Sequence, residues 1–188
     1  LPIKRHWFLR SWILLILISS FFCHKAILRV FFVLDYQDEI IIYSKNSGIN
    51  PALISALIFV ESRFDPAAES HKGALGLMQV MPTTGDWIAE KLNWSLFQKI
   101  DLLDPEKNLA AGTWYLGYLK KKFEGNECLA LASYNAGARY VRYWIEKGIW
   151  QGEAVNLEQI PFPETRQYLI QIMWLKKVYH YLYPELSK

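Results

Sequence analysis

The feature that most constrains this chain is where its prolines stand. Asn50-Pro51 places an N-cap residue before a proline at the first helical position. Asp104-Pro105 opens another segment, and Pro161 and Pro163 precede the last apolar stretch. Proline lacks the amide hydrogen that a helix interior or a sheet ladder needs. It fits the first helical turn, where that hydrogen has no partner anyway. Between these starts no strand-like alternation persists beyond a few residues. The spacing predicts helices from Asp35 to near Gly48, from Ala52 to about Arg63 and from Thr83 or Thr84 to about Leu92. It predicts further helices from Asp104 towards Gly125, from Asn126 to about Tyr134, from Ala138 to Lys147 and from Glu164 to about Tyr183. Residues 64–82 carry Asp65-Pro66, Gly73, Gly76 and Pro82 and read as irregular. Residues 36–188 are thus expected to form one all-α domain.

Residues 1–35 differ in character. They hold five basic side chains (Lys4, Arg5, Arg10, Lys25 and Arg29) against Asp35, whereas the rest of the chain holds 16 basic and 17 acidic ones. The overall charge of +3 therefore belongs to the arm, and the main body has no electrostatic footprint for nucleic acid. An uncharged apolar run, residues 11–23, follows the basic start, which is the layout of a signal sequence. Phe21, Phe22 and Cys23 offer no small-residue cleavage site, and Phe22 argues against lipidation at Cys23. An uncleaved signal anchor over 1–35 is expected, with residues 36–188 outside the membrane on the cell-wall side. The second apolar run, Ala26–Leu34, either extends the span or begins the folded domain.

On the helix from Pro51, positions 53, 57 and 61 are four apart, and 61 lies three beyond Ile58. Glu61 thus falls on an apolar stripe shared with Leu53, Ile54 and Leu57. A carboxyl there must find a partner or hold its proton to higher pH. A carboxylic acid protonated near neutrality is what cleavage of a glycosidic bond requires. Three further segments carry candidate binding groups. Gly73-Ala74-Leu75-Gly76-Leu77-Met78-Gln79 combines glycines that permit close backbone approach with an amide suited to sugar hydroxyls, though a tight turn would use the same glycines. Ser133-Tyr134-Asn135-Ala136-Gly137 ends a helix, where ordinary capping also explains Asn and Gly. Pro163-Glu164-Thr165-Arg166-Gln167-Tyr168 opens one, where an acidic residue suits the helix terminus. The four histidines (His6, His24, His71 and His180) are scattered, as are Cys23 and Cys128, so neither a zinc site nor a disulfide is expected.

In this order and spacing the four segments resemble the soluble lytic transglycosylase family, glycoside hydrolase family 23. They are Glu61-Ser62, Gly73 to Gln79, Tyr134 to Gly137, and Pro163 to Arg166 with Tyr168. Ser133 stands where the family usually has alanine. The resemblance implies a goose-type-lysozyme-like helical fold around a cleft that binds peptidoglycan glycan strands. It implies non-hydrolytic cleavage of the bond between N-acetylmuramic acid and N-acetylglucosamine, without metal or cofactor. Glu61 would act first as acid and then as base, giving a 1,6-anhydro end. Ser62 would bond near the muramic acid, and Met78 and Gln79 would line saccharide sites. Tyr134 would sit beside Glu61, with Asn135 supporting it. Glu164 would bind and organise, and Tyr168 would line the cleft wall. A monomer is expected. Two rivals remain open at this point: a muramidase of the same fold, needing a second carboxylate such as Asp65 or Asp86, and a wall-binding scaffold without activity.

Overall fold

A computed structural model describes residues 3–187 of the chain. It divides into two compact units, the arm up to Leu34 and a domain from Asp35 onward. The arm is one helix, α1 (Ile3–Phe31), of 29 residues. The second apolar run therefore continues this helix and does not begin the domain. Trp12, Ile16, Val30 and Phe31 are exposed along it, while the side chains of Lys4, Arg5 and His6 lie outside the described residues. Among the described residues, no helix is long and apolar enough to cross a membrane.

The domain is helical throughout, in line with the proline spacing. It comprises α2 (Gln37–Ser47), α3 (Pro51–Glu61), α4 (Pro82–Lys91), α5 (Pro105–Lys122), α6 (Glu127–Ala136), α7 (Ala138–Glu146) and α8 (Pro163–Leu182), with three short 3-10 turns. Its β pairing, among the described residues, consists of isolated bridges at Leu75 with Glu69 and Val80. The caps follow from composition. The Asn50, Asp104 and Asn126 side chains accept hydrogen bonds from the amides of Leu53, Lys107 and Leu129. Helix α4 differs from expectation. It starts at Pro82, so Thr83 and Thr84 lie inside its first turn and the cap is Met81.

Helix α3 is the centre of the domain. Every residue from Ala52 to Ile58 is buried, so the helix is enclosed on all sides, where the sequence suggested one apolar stripe. Ser55 is tolerated there because its hydroxyl donates to the Pro51 carbonyl at 3.0 Å. α3 packs chiefly on α8, while α5 packs on α2 and α6, and α6 on α7 and α8.

The segment between α3 and α4 is fixed from below by Asn108 of α5, a fully buried side chain. Its Oδ1 accepts from the Met78 amide at 2.7 Å, and its Nδ2 donates to the Leu75 and Leu102 carbonyls at 2.8 and 2.7 Å. Gly76 has φ +73° and sits so close that a Cβ would collide with the Leu102 carbonyl oxygen and the Asn108 side chain. Asn108→Ala would strand one amide and two carbonyls in the core, a loss of roughly 3 kcal/mol in urea denaturation. A loss under about 1 kcal/mol would mean that the loop is held by other contacts.

Candidate active site

Glu61 is the last residue of α3, where the buried helix reaches the surface of the domain. It is half-buried. The chain then turns sharply: Ser62 caps the helix, and Arg63 and Phe64 both adopt left-handed backbone with φ +53° and +67°. Two consecutive non-glycine residues in that region are costly, and such strain concentrates at functional sites. Phe64 is buried against Tyr179, and the Arg63 guanidinium lies over the Phe59 ring, so packing on both sides holds the turn.

The Tyr168 hydroxyl of α8 donates to Oε1 of Glu61 at 2.6 Å. Burial pushes the Glu61 carboxyl up from its ordinary 4.5 to about 7. The Tyr168 hydrogen bond opposes this by favouring the ionised form, and the negative charge of Glu164 adds to the rise. Glu164 is exposed in the first turn of α8. Glu61 therefore feels the charge of one other carboxylate, Glu164. Asp65 and Asp86 are exposed and do not contribute to its shift; an Asp65 oxygen accepts from the Ala67 amide at 2.9 Å.

The other expected residues are tied into the surrounding segments, several with their polar atoms already engaged. Ser62 Oγ donates to the Leu77 carbonyl at 2.8 Å, tying the end of α3 to the glycine-containing loop. Gln79, at φ +49°, donates from Nε2 to the carbonyls of Ala68 and Gly76 at 3.1 and 3.0 Å. Both of its amide hydrogens are thus used, and its Oε1 is the atom left to accept from a ligand. The Tyr134 hydroxyl donates to the Met78 carbonyl at 2.8 Å. Burial and then the charge of Glu61 hold that hydroxyl far above the ordinary tyrosine range. Asn135 Oδ1 accepts from Thr165 Oγ1 at 2.7 Å, joining the third segment to the fourth. Met78 is fully buried against Gly112, beneath the surface of the site, and the exposed methionine of this region is Met81.

Asn108 completes the arrangement without having stood out in the sequence, though it left a signal, since it lies four before Gly112 and eight before Leu116 on the buried face of α5. Thr165, inside the fourth segment, contributes the hydroxyl that reaches Asn135. The Arg166 guanidinium, in the same turn of α8 as Glu164, donates to the Ile160 carbonyl at 2.8 Å. A larger groove of about 560 Å³ lies elsewhere, lined by Tyr43, Trp94, Asp101 and Glu106 among others. Its acids serve local structure: Asp104 caps α5, and Asp101 pairs with Lys107 at 2.6 Å. No group of side chains able to hold a metal comes together among the described residues.

Comparison with known proteins places the chain in a family. The transglycosylase SLT domain model matches residues 38–156. The soluble lytic murein transglycosylase of Escherichia coli (strain K12) is 35% identical over 152 residues, which is 80% of this chain and 24% of that protein. Membrane-bound lytic murein transglycosylase C of Edwardsiella ictaluri is 32% identical over 167 residues, 77% of this chain and 46% of the relative. Among solved structures, the 70 kDa soluble lytic transglycosylase of E. coli superimposes with a TM-score of 0.75 at 35% identity. That match covers 80% of this chain and 25% of the other. An inactive mutant of lytic transglycosylase Slt from Pseudomonas aeruginosa gives 0.76 at 34% identity, over 82% and 25%. The all-helical, lysozyme-like fold expected from the sequence is borne out. The chain spans about a quarter of the length of the soluble curated relatives.

The raised Glu61 pKa has a stability consequence with a definite sign. Unfolded, the carboxyl loses its proton near 4.5; folded, it keeps it to about 7. The folded state binds more protons in that window, so stability falls as pH rises through it. Glu61→Gln should therefore melt above wild type at about pH 8.5, with the gap closing below pH 4.5. Tyr168→Phe removes the donor that favours the carboxylate and should move the Glu61 midpoint higher still, read by carbon NMR of labelled glutamate. A midpoint unchanged or lowered in Tyr168→Phe would contradict the assignment.

Proposed function

Because the chain belongs to the transglycosylase SLT family, we propose that it is a peptidoglycan lytic transglycosylase. It cleaves the β-1,4 bond between N-acetylmuramic acid and N-acetylglucosamine and leaves a 1,6-anhydro end. The observation that carries this reading is Glu61, a carboxyl that burial keeps protonated to about pH 7 while a phenol holds one of its oxygens. Both protonation states are populated near neutrality, as a residue acting as acid and then base requires.

Tyr168 occupies Oε1, so the proton to be given sits on Oε2. Glu61 passes it to the glycosidic oxygen as the bond to C1 of the muramic residue breaks. The resulting carboxylate, steadied by Tyr168, takes the proton of the C6 hydroxyl as that oxygen bonds to C1. The proton lent is recovered, no water is consumed, and no metal or cofactor takes part. An intramolecular hydroxyl supplies the proximity for which a hydrolase uses a second carboxylate and a water. Glu164, whose charge Glu61 senses, offers electrostatic support to the positive charge developing at C1. Ser62, Gln79, Tyr134 and Asn135 bind the strand or hold the groups that do. Gln79 offers Oε1, and Met78 acts through packing under the loop.

The same Glu164 charge gives the hydrolytic reading its one foothold, because a muramidase would use that carboxylate to activate water. Mass spectrometry of digested sacculi separates the two: anhydro ends are expected, and reducing ends would overturn the transglycosylase reading. Glu61→Gln should lower turnover at least about 100-fold. Undiminished clearing of a cell-wall zymogram by that variant would remove Glu61 from the chemistry, and absence of clearing by wild type would favour a scaffold.

We also propose that residues 1–35 tether the domain to the cell membrane as a single-pass anchor, with the domain on the wall side. What supports this reading is the layout of the arm, a basic start followed by the uncharged apolar run over residues 11–23. Trp12, Ile13, Ile16 and Ile27 are exposed on helix α1, and Lys25 and Arg29 can reach the interface. The protein should stay with membranes through an alkaline carbonate wash; release into the supernatant would refute the anchor.

A further inference from the structure

Helix α8 carries large apolar residues on two faces. On its packing face Tyr168, Ile172, Leu175 and Tyr179 are buried. On the opposite face Ile170, Trp174, Lys177 and Tyr181 follow one another at intervals of four, three and four residues and form a single stripe. Its apolar members Ile170, Trp174 and Tyr181 are 45%, 55% and 48% exposed. A surface helix ordinarily turns polar side chains outward on that side. Three large side chains on one outer stripe form a contiguous patch, which is the mark of an interaction surface.

The chemistry of the stripe selects among surfaces. From Gln167 to Leu182 the helix holds no carboxylate. Lys176 pairs with Glu127 at 2.6 Å, whereas Lys177 stands exposed among the rings. Lysine is depleted at the centre of protein interfaces, but an anionic lipid surface attracts it. Tryptophan and tyrosine, each with an apolar body and a polar tip, settle at the boundary between headgroups and acyl chains. The place of the stripe agrees with such a surface. Asp35, the first residue of the domain, lies close enough to α8 for its charge to act on the Tyr179 hydroxyl. The chain thus enters the domain beside the helix that bears the stripe. With residues 1–35 held in a membrane, the tether keeps the stripe at a high effective concentration over lipid, so a weak surface affinity suffices. Tyr168, which holds Glu61, lies on the other face of α8. Docking would therefore turn the Glu61 side of the helix away from the bilayer.

We propose that the outer stripe of α8, formed by Ile170, Trp174, Lys177 and Tyr181, docks on the anionic headgroup surface of the membrane and fixes the direction in which the site faces. The inference rests on the anchor reading above. The test uses the full chain with Cys23→Ser and Cys128→Ala, reconstituted in vesicles of phosphatidylcholine and phosphatidylglycerol. A fluorophore is placed at Ile170→Cys or, as a control, at Glu90→Cys on the exposed side of α4. Quenching by a spin label on the lipid headgroup should be at least about threefold stronger at position 170 than at position 90. Trp174→Glu with Lys177→Glu, checked for folding by circular dichroism, should bring the two positions to within about 1.5-fold of each other. Trp174→Phe with Lys177→Arg should retain the difference. Equal quenching at both positions in protein that floats with the vesicles would overturn the docking and leave the anchor standing. Protection of position 170 from aqueous iodide without quenching from the lipid would mean that protein covers the stripe, and would overturn it too. Protein that fails to float would instead refute the anchor, and the docking with it.

Discussion

Everything at this site depends on enclosing a helix that has no polar face. α3 is buried on all sides over Ala52–Ile58 and then ends in a carboxylic acid. The domain cannot solvate that helix, so α8 lies against it along its length. Enclosure carries Glu61 partly out of water, and desolvation is the largest reason that its carboxyl holds a proton to about pH 7. The same α8 that supplies the enclosure supplies Tyr168 and Glu164. Packing and chemistry are therefore two aspects of one helix pair.

The two α8 residues act on Glu61 in opposite directions. Tyr168 favours the carboxylate by a hydrogen bond, and Glu164 disfavours it by charge. Burial alone would leave a good acid and a poor base. A phenol on one oxygen steadies the ionised form that the second step of the proposed reaction would need, without fully restoring an ordinary carboxylate. Mobility of the pair is restrained as well, since Thr165, between Glu164 and Tyr168, is bonded to Asn135 of α6. The spacing of the fourth segment thus places a charge, a strut and a phenol on one helical turn.

Much of this was legible in the sequence, for identifiable reasons. Asn50-Pro51 and Asp104-Pro105 mark helix starts because cap and proline chemistry are local. Met81-Pro82 misleads at α4 because the two threonines after the proline are better cap formers than methionine, and proline position overrides them. The α3 stripe understates the burial of that helix, because the Ser55 hydroxyl is satisfied inside it by the Pro51 carbonyl, which composition does not display. The order of the four segments pointed to the candidate site, but not to how its polar atoms are used. Ser62, Gln79, Tyr134 and Asn135 all bond to the protein itself, through partners 15, 11, 56 and 30 residues away.

That internal engagement bears on how a loop-built site can be accurate. Residues 64–82 contain little regular structure, yet their conformation is fixed at both ends and from below. Ser62 and Gln79 bind it from within, Tyr134 holds the Met78 carbonyl, and Asn108 holds the Met78 amide. Met78 is thus gripped through both of its backbone polar groups while its side chain is sealed in the core, against a glycine that leaves room for it. The left-handed turn at Arg63 and Phe64 costs conformational energy that only such bracing can offset. A flexible segment would lose Glu61's alignment with each fluctuation. A braced one keeps the end of α3 and the Gln79 backbone in fixed positions, which is the condition that the proposed chemistry would need for preorganisation.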